Sequence, residues 1–123
     1  MNPQFAQVGQ QFVDHYYKTF DSNRSQLGSL YGADSLLTFE SEQFRGAQSI
    51  IQKLSSLPFQ SVKHQIVTAD FQPGPNNGVM VLVTGTLLVD DGQNPLKYAQ
   101  TFQLGPCPTG YYVLNDMFRL NYG

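Results

Sequence analysis

The sequence predicts an α+β fold in which helices lie on one side of an antiparallel sheet. Two observations lead to this class. Apolar residues in the first half of the chain recur mostly at three- to four-residue spacing, whereas the second half alternates in short segments bounded by turn residues. Helices that precede a run of strands are typical of an α+β domain with segregated layers.

The length and the charge of the chain limit its organisation and its partners. With 123 residues, it can bury roughly two thirds of its unfolded surface in one core, so we expect a single domain over 1–123. Its net charge is −2, and its basic residues are scattered singly from Lys18 to Arg119. Because no cationic stripe is present to neutralise phosphates, nucleic acid is not an expected partner.

Membrane and metal sites are not expected either. The longest apolar stretch, VMVLVTGTLLV, is interrupted and shorter than the ~20 residues of a membrane helix, and the chain opens without a basic-then-apolar leader. The single cysteine, Cys107, has no partner for a disulfide or for a CxxC zinc motif. These features predict a soluble, unsecreted protein in a reducing compartment, without membrane partner, metal or cofactor.

The first helix is predicted near residues 3–20. Asn2 can cap it, and Pro3 suits the first helical position because its missing N–H would be unpaired there anyway. The apolar side chains that recur at helical spacing are Phe5, Val8, Phe12, Tyr16 and Phe20.

Two shorter helices are expected next. One is capped by Asp21 or Ser22 and ends at Gly32. The other follows a hairpin-like segment around Glu40 and ends at Pro58, because a residue before proline avoids the helical conformation. The sequence therefore predicts three helices before the sheet begins.

Four strand segments account for the second half of the chain. Clusters of Gly, Pro, Asn or Asp bound each of them, and the short turns between them favour an antiparallel meander. The segments are 61–72, 78–90, 96–105 and 110–120.

One of these strands is apolar on both faces. Antiparallel sheets normally leave one face polar, so this pattern requires cover on both sides. In residues 79–89, one face carries Val79, Val81, Val83 and Leu87, and the other carries Met80, Leu82 and Leu88. The last strand similarly presents Leu114 and Phe118 on one face and Val113 and Met117 on the other.

The three helices can cover only one face of such a sheet. A second copy of the chain would cover the other, which predicts a homodimer built sheet to sheet with Met80, Leu82 and Met117 at its interface. The alternative is a small barrel whose own strands close the second face.

A few ionisable residues could carry chemistry in such a fold. His64 falls on the same strand face as Val62 and Ile66, so a curved sheet would place it inside a cavity. An acid/base site would need a positioned histidine or carboxylate with a partner that shifts its pKa, and Glu40, Asp34 and Asp116 are further candidates for such a residue. A lone histidine on an apolar face is more often a satisfied core residue.

Acidic residues also occur beside two turns. Glu40 follows Phe39 in LTFESEQFRG, and Asp90 and Asp91 open the turn VDDGQNP. These carboxylates are either solvated turn residues or, if the sheet curls, the rim of a pocket. An apolar pocket surrounded by carboxylates would suit a ligand with an apolar group and flanking cations.

Four stretches of the chain, within a region from about Phe5 to Tyr122, match those of a known protein family in order and spacing. They are FVDHYYKTFDSNRSQLGSLY, LTFESEQFRG, IIQKLSSLPFQSVKHQI and NDMFRLNYG. In these stretches the chain resembles the nuclear transport factor 2 family, small import carriers for the GTPase Ran in its GDP-bound form. The resemblance implies a cystatin-like α+β roll that dimerises through its outer face and encloses a hydrophobic cavity between its concave face and three helices. The implied cavity residues are Phe39, Leu57, Phe59, Val62, Leu87 and Phe118.

The resemblance also implies how Ran-GDP is bound. An aromatic side chain from the switch II region of Ran enters the cavity, and acidic residues at the rim pair with a nearby basic side chain. By position, the acidic residues are Glu40 and Asp90, with Asp91 or its neighbour completing the rim. His64 matches a site near the same rim.

Binding to the phenylalanine-glycine (FG) repeats of nucleoporins is implied as well. The matching aromatic residue on the first helix is Phe5, where many relatives carry Trp; the alternative is that Phe5 is a core residue of that helix. The resemblance therefore implies a non-enzymatic carrier in the cytoplasm and nucleus, enriched at the nuclear pore. The two alternatives are a cavity enzyme of the dehydratase or isomerase type and a dimerisation module like those fused to RNA-binding parts.

Overall fold

The fold consists of one sheet with helices packed against it, and the computed structural model describes residues 2–90 and 92–121. The helices are α1 (Phe5–Ser22), a 3-10 helix (Arg24–Leu30), α2 (Ala47–Ser55) and a short 3-10 turn (Pro75–Asn77). The strands are β1 (Tyr31–Phe39), β2 (Glu42–Arg45), β3 (Val62–Pro73), β4 (Val79–Val89), β5 (Leu96–Cys107) and β6 (Gly110–Leu120). Within the described ranges, no helix is both long and apolar enough to cross a membrane.

The sheet has six strands in the order β2-β1-β6-β5-β4-β3. Strands β3 to β6 form the predicted antiparallel meander. Strand β1 lies parallel to β6, so the sheet is mixed and not wholly antiparallel. The strands form an open sheet with β2 and β3 at its edges, so they do not close the barrel that the alternative requires.

Helix α1 covers part of the concave face. It begins at Phe5 and not at residue 3, because Gln4 occupies the N-cap position. Asn2 ties down the preceding turn instead, accepting a hydrogen bond from the Gln4 amide at 2.9 Å. At Gly9, the helix approaches β3 so closely that a Cβ atom would lie 2.2 Å from the Phe71 ring. The buried residues of α1 include Phe12, Tyr16 and Phe20 of the predicted stripe and, in addition, Gly9, Val13 and Tyr17.

The second predicted helix differs from the observed one in type and bounds. Asp21 and Ser22 belong to the last turn of α1, so neither caps the next helix. The following helix is of the 3-10 type, buries Leu27 and ends at Leu30, two residues before the expected Gly32. Strand β1 begins immediately afterwards; its Gly-Ala-Asp-Ser stretch has low strand propensity, so the sequence pattern revealed only its end, in the hairpin-like segment around Glu40.

The two faces of β4 differ as predicted. Val79, Val81 and Val83 are fully buried under the helices, whereas Leu82 on the opposite face is 43% exposed. The prediction for β6 was wrong in one respect, because Val113 and Phe118 are both buried. A bulge at Leu114 shifts the register between these two residues and places them on the same face.

Candidate functional site

An apolar cavity of about 210 Å³ lies between the end of α1, the loop after α2 and the concave face of the sheet. All six residues predicted for its wall line it. The full lining comprises Phe20, Phe39, Leu57, Pro58, Phe59, Val62, His64, Leu87, Val89, Leu96, Gln100, Phe118 and Leu120.

Stacked aromatic rings form one wall of this cavity. The rings of Phe39 and Phe118 lie 4.8 Å apart and within 12° of parallel, and the Phe118 and Tyr98 rings are 5.6 Å apart. Lys53 Nζ lies 5.5 Å from the centroid of the Phe39 ring, a cation–π distance. These contacts hold the Phe39 and Phe118 rings of the lining in an ordered stack.

Glu40 lies at the turn between β1 and β2, next to two residues that line the cavity. It has a φ of 51°, and its amide donates to the Phe118 carbonyl at 3.1 Å. Its half-buried carboxylate accepts a hydrogen bond from the Leu120 amide. The fold therefore holds the Glu40 carboxylate beside the cavity, directly after Phe39.

Asp90 occupies the corresponding position after β4, and its side chain is exposed. Its Oδ1 atom accepts hydrogen bonds from the amides of Ser61 at 3.0 Å and Gln60 at 2.8 Å. These hydrogen bonds, with a smaller contribution from the charge of Arg24, hold the pKa of Asp90 below its usual value. Asp90 is therefore ionised at neutral pH. Asp91, the other predicted rim residue, lies outside the described residues.

His64 lines the cavity, but its ring already has a partner. Its Nδ1 atom lies 2.6 Å from Asp21 Oδ1, and its backbone amide donates to the other oxygen of the same carboxylate at 2.9 Å. The His64 side chain is only 3% exposed and packs 4.8 Å from the Tyr17 ring. The pair ties β3 to the last turn of α1. Sequence reasoning missed it because Asp21 was assigned to a helix cap.

A buried polar network lies next to the cavity. Asp116 is fully buried and accepts hydrogen bonds from Tyr31 at 2.8 Å, Gln100 at 2.8 Å and Tyr16 at 3.4 Å. Gln100 in turn accepts one from Tyr17 at 2.6 Å and lines the cavity. Burial raises the pKa of Asp116 to about 6. Asp116 itself is not a lining residue, so the cavity-enzyme alternative does not gain a catalytic carboxylate from it.

Stability should fall between about pH 4 and pH 6 because of this aspartate. The pKa of Asp116 is about 6 in the folded state and near 3.8 in the unfolded state, so the folded state binds the proton more tightly. The resulting stabilisation is fully present below about pH 4 and is lost as the pH rises through about 6. A shift of this size corresponds to about 3 kcal/mol. Urea unfolding at a series of pH values should show this slope in the parent chain and lose it in Asp116→Asn. Identical slopes in the two proteins would contradict the assignment.

Phe5 and the predicted dimer residues occupy different parts of the surface. Phe5 is half-buried at the start of α1 and packs against the core. On the outer face of the sheet, Leu82 and Met117 lie in one row, since both pair with Thr101 of the strand between them. Met117 is 53% exposed, and Met80 is half-buried. The described chain therefore leaves an apolar patch uncovered on this face.

Comparisons with known proteins identify the family. Residues 8–120 match the nuclear transport factor 2 domain family. The chain is 55% identical over 123 residues to the nuclear transport factor 2 of Candida glabrata, a match that covers 99% of this chain and 98% of the relative. It superposes on the structure of nuclear transport factor 2 from Cryptosporidium parvum with a TM-score of 0.94 at 53% identity, covering 98% of each chain.

The fold extends to much more distant proteins. A protein with a cystatin-like fold from Caulobacter vibrioides superposes with a TM-score of 0.82 at 12% identity, covering 96% of this chain and 90% of that protein. This likeness shows the fold alone and confirms the predicted architecture. The family match and the high identity over the full length go further: the chain belongs to the nuclear transport factor 2 family.

Proposed function

We propose that this chain is a nuclear import carrier that binds Ran in its GDP-bound form and works as a homodimer. Family membership supports a role in nuclear transport, and the close relatives are named as transport factors and not as enzymes. The observation that carries the finer proposal is the apolar cavity with Glu40 and Asp90 beside it.

The size and lining of the cavity suit an aromatic side chain. Its volume of about 210 Å³ exceeds that of an engineered cavity of about 150 Å³ that binds benzene. Twelve of the thirteen lining residues are apolar or aromatic, counting His64 as aromatic, and the exception is Gln100. Burying one ring there would contribute roughly 1.5 to 3 kcal/mol. An aromatic residue from the switch II region of Ran is the proposed occupant.

The two carboxylates supply the second part of the interface. Glu40 follows the lining residue Phe39, and Asp90 follows the lining residue Val89, so both lie next to the cavity wall, with Glu40 half-buried and Asp90 exposed. A lysine or arginine beside the inserted ring would be attracted to them. Such pairing would give the two acidic residues beside the apolar cavity a role in binding.

Filling the cavity from inside should prevent binding. Leu96 lines the cavity at the start of β5 and is 38% exposed. The larger indole of Leu96→Trp can therefore occupy the space proposed for the aromatic ring of Ran. We expect the affinity for Ran-GDP, measured by calorimetry, to fall at least about tenfold, since one buried ring is worth more than 1.4 kcal/mol.

The matched control for this experiment is Leu96→Ala, which leaves the cavity open. It should bind Ran-GDP within about threefold of the parent chain, because little of the ring's contact area is lost. If Leu96→Trp binds as tightly as Leu96→Ala, the cavity is not the site of insertion.

Passage through the nuclear pore requires a second, weaker interaction, which we assign to Phe5. Phe5→Ala should reduce retention on immobilised FG repeats severalfold while Ran-GDP binding persists, because Phe5 lies away from the cavity lining. Phe5→Trp, with a larger ring, should increase retention. Unchanged retention together with a lowered melting temperature for Phe5→Ala would show instead that Phe5 acts only in the core. Residence in the cytoplasm and nucleus with enrichment at the pore follows from this proposal.

A further inference from the structure

The loop between α2 and β3 forms a large part of the cavity wall. Three consecutive residues of this loop, Leu57, Pro58 and Phe59, line the cavity. The loop spans residues 56–61 and lies outside the helices and strands. Segments without regular backbone hydrogen bonding open easily, so something else must hold this wall in place.

Arg24, the first residue of the 3-10 helix, contacts the loop. Its Nη2 atom donates a hydrogen bond to the Phe59 carbonyl at 2.8 Å. Its guanidinium carbon lies 4.7 Å from the centroid of the Phe59 ring and 6.0 Å from that of the Phe20 ring. Both rings line the cavity. One planar side chain therefore fixes the backbone and the ring of Phe59 together, which an ammonium group cannot do equally well.

Asp90 holds the last two residues of the same loop. One oxygen of its carboxylate accepts hydrogen bonds from two successive amides, those of Gln60 and Ser61, and the Asp90 amide donates to the Ser61 carbonyl at 2.9 Å. The residues that contact Arg24 and those that contact Asp90 are adjacent in sequence. The second half of the loop, residues 59–61, is thus bound by two charged groups of opposite sign.

We infer that Arg24 is a positioning residue of the binding site: with Asp90, it fixes the 56–61 loop as a rigid wall and so sets the preference of the cavity for an aromatic ring. The preference for an aromatic ring of Ran rests on the proposed function, whereas the fixing of the loop does not. Asp90 then has two roles, because the oxygen that holds the loop is part of the carboxylate proposed to face Ran.

Amide hydrogen exchange in the free protein tests the fixing of the loop. Arg24→Met keeps an unbranched stem and removes the guanidinium; it should speed exchange at the Gln60 and Ser61 amides at least tenfold and leave the slowest core amides within threefold. Arg45→Met, at an exposed arginine that ends β2, makes the same charge change and should alter neither. Arg24→Lys, which retains the charge, should lie between the parent chain and Arg24→Met. The inference fails if the loop amides of Arg24→Met exchange at the parent rate or if all amides accelerate equally.

Discrimination between binding partners tests the effect on specificity. The parent chain should bind Ran-GDP more tightly than a Ran-GDP variant whose inserted aromatic residue is replaced by leucine. Arg24→Met should reduce the ratio of the two dissociation constants at least threefold, since a loosened wall adapts to either side chain, while Arg45→Met should preserve it. An unchanged ratio would overturn the specificity claim. If the parent chain binds neither form of Ran, the proposed function fails, and the exchange experiment still decides the role of Arg24.

Discussion

Glu40→Lys is expected to abolish binding to Ran-GDP while the dimer stays folded. The substitution places a cation where the proposal requires an anion to meet a basic side chain of Ran. Removing one member of a desolvated charged pair costs about 2 to 5 kcal/mol, or roughly 30- to several thousand-fold in affinity, and reversing the charge should cost more. Calorimetric titration with GDP-loaded Ran measures this loss directly.

A milder variant separates charge from local structure at this position. Glu40 also accepts a hydrogen bond from the Leu120 amide, and Glu40→Gln keeps an acceptor for that amide while removing the charge. Glu42→Gln, two residues along the same hairpin, makes the same change at an exposed carboxylate paired with Lys53 at 3.3 Å. Glu40→Gln should weaken binding strongly and Glu42→Gln hardly at all. Equal affinities for the two variants would refute the role given to Glu40.

Leu82→Glu is expected to separate the two subunits of the proposed homodimer. Leu82 lies near the middle of β4 on the outer face and is 43% exposed in the single chain. In the proposed dimer, a carboxylate there would be buried against the partner subunit next to Asp70, the residue opposite Leu82 on β3, and burying such a charge costs several kcal/mol per copy. Light scattering should give the mass of a dimer for the parent chain and that of a monomer for the variant, accompanied by a lower melting temperature.

The control for this variant introduces the same charge away from the sheet. Gln48→Glu lies on an exposed position in the first turn of α2, where a negative charge is tolerated. It should remain dimeric and as stable as the parent chain. A parent chain that is already monomeric at micromolar concentration would contradict the sheet-to-sheet dimer itself.

Patterns with a strong period revealed most of the fold. Burial in β4 follows the alternation of its side chains, and α1 buries its predicted stripe from Phe12 to Phe20. Strand β1 was underestimated because small and polar residues make up its first half, so neither a period of two nor strand propensity stood out. The parallel pairing of β1 with β6 joins residues about 80 positions apart, and no local pattern encodes such a contact.

The candidate site shows the same limit. Most of the cavity wall could be predicted from the resemblance, because nine of its thirteen residues lie in the shared stretches; the exceptions are Leu87, Val89, Leu96 and Gln100. The side chains that hold those residues in place could not. Arg24 and Phe59 are 35 positions apart, and Asp21 and His64 are 43 apart. A single charged residue near a helix end looks the same in sequence whether it faces solvent or fixes a distant loop.

Selective capture of the two nucleotide states of Ran tests the central claim most directly. The parent chain is immobilised and incubated with equal amounts of GDP-loaded and GTP-loaded Ran, and the bound fraction of each is measured. The account predicts that the GDP form is retained and the GTP form is not, because the proposed function assigns the cavity and its two carboxylates to the switch II region of the GDP form. Equal retention of both forms, or retention of neither, would contradict it.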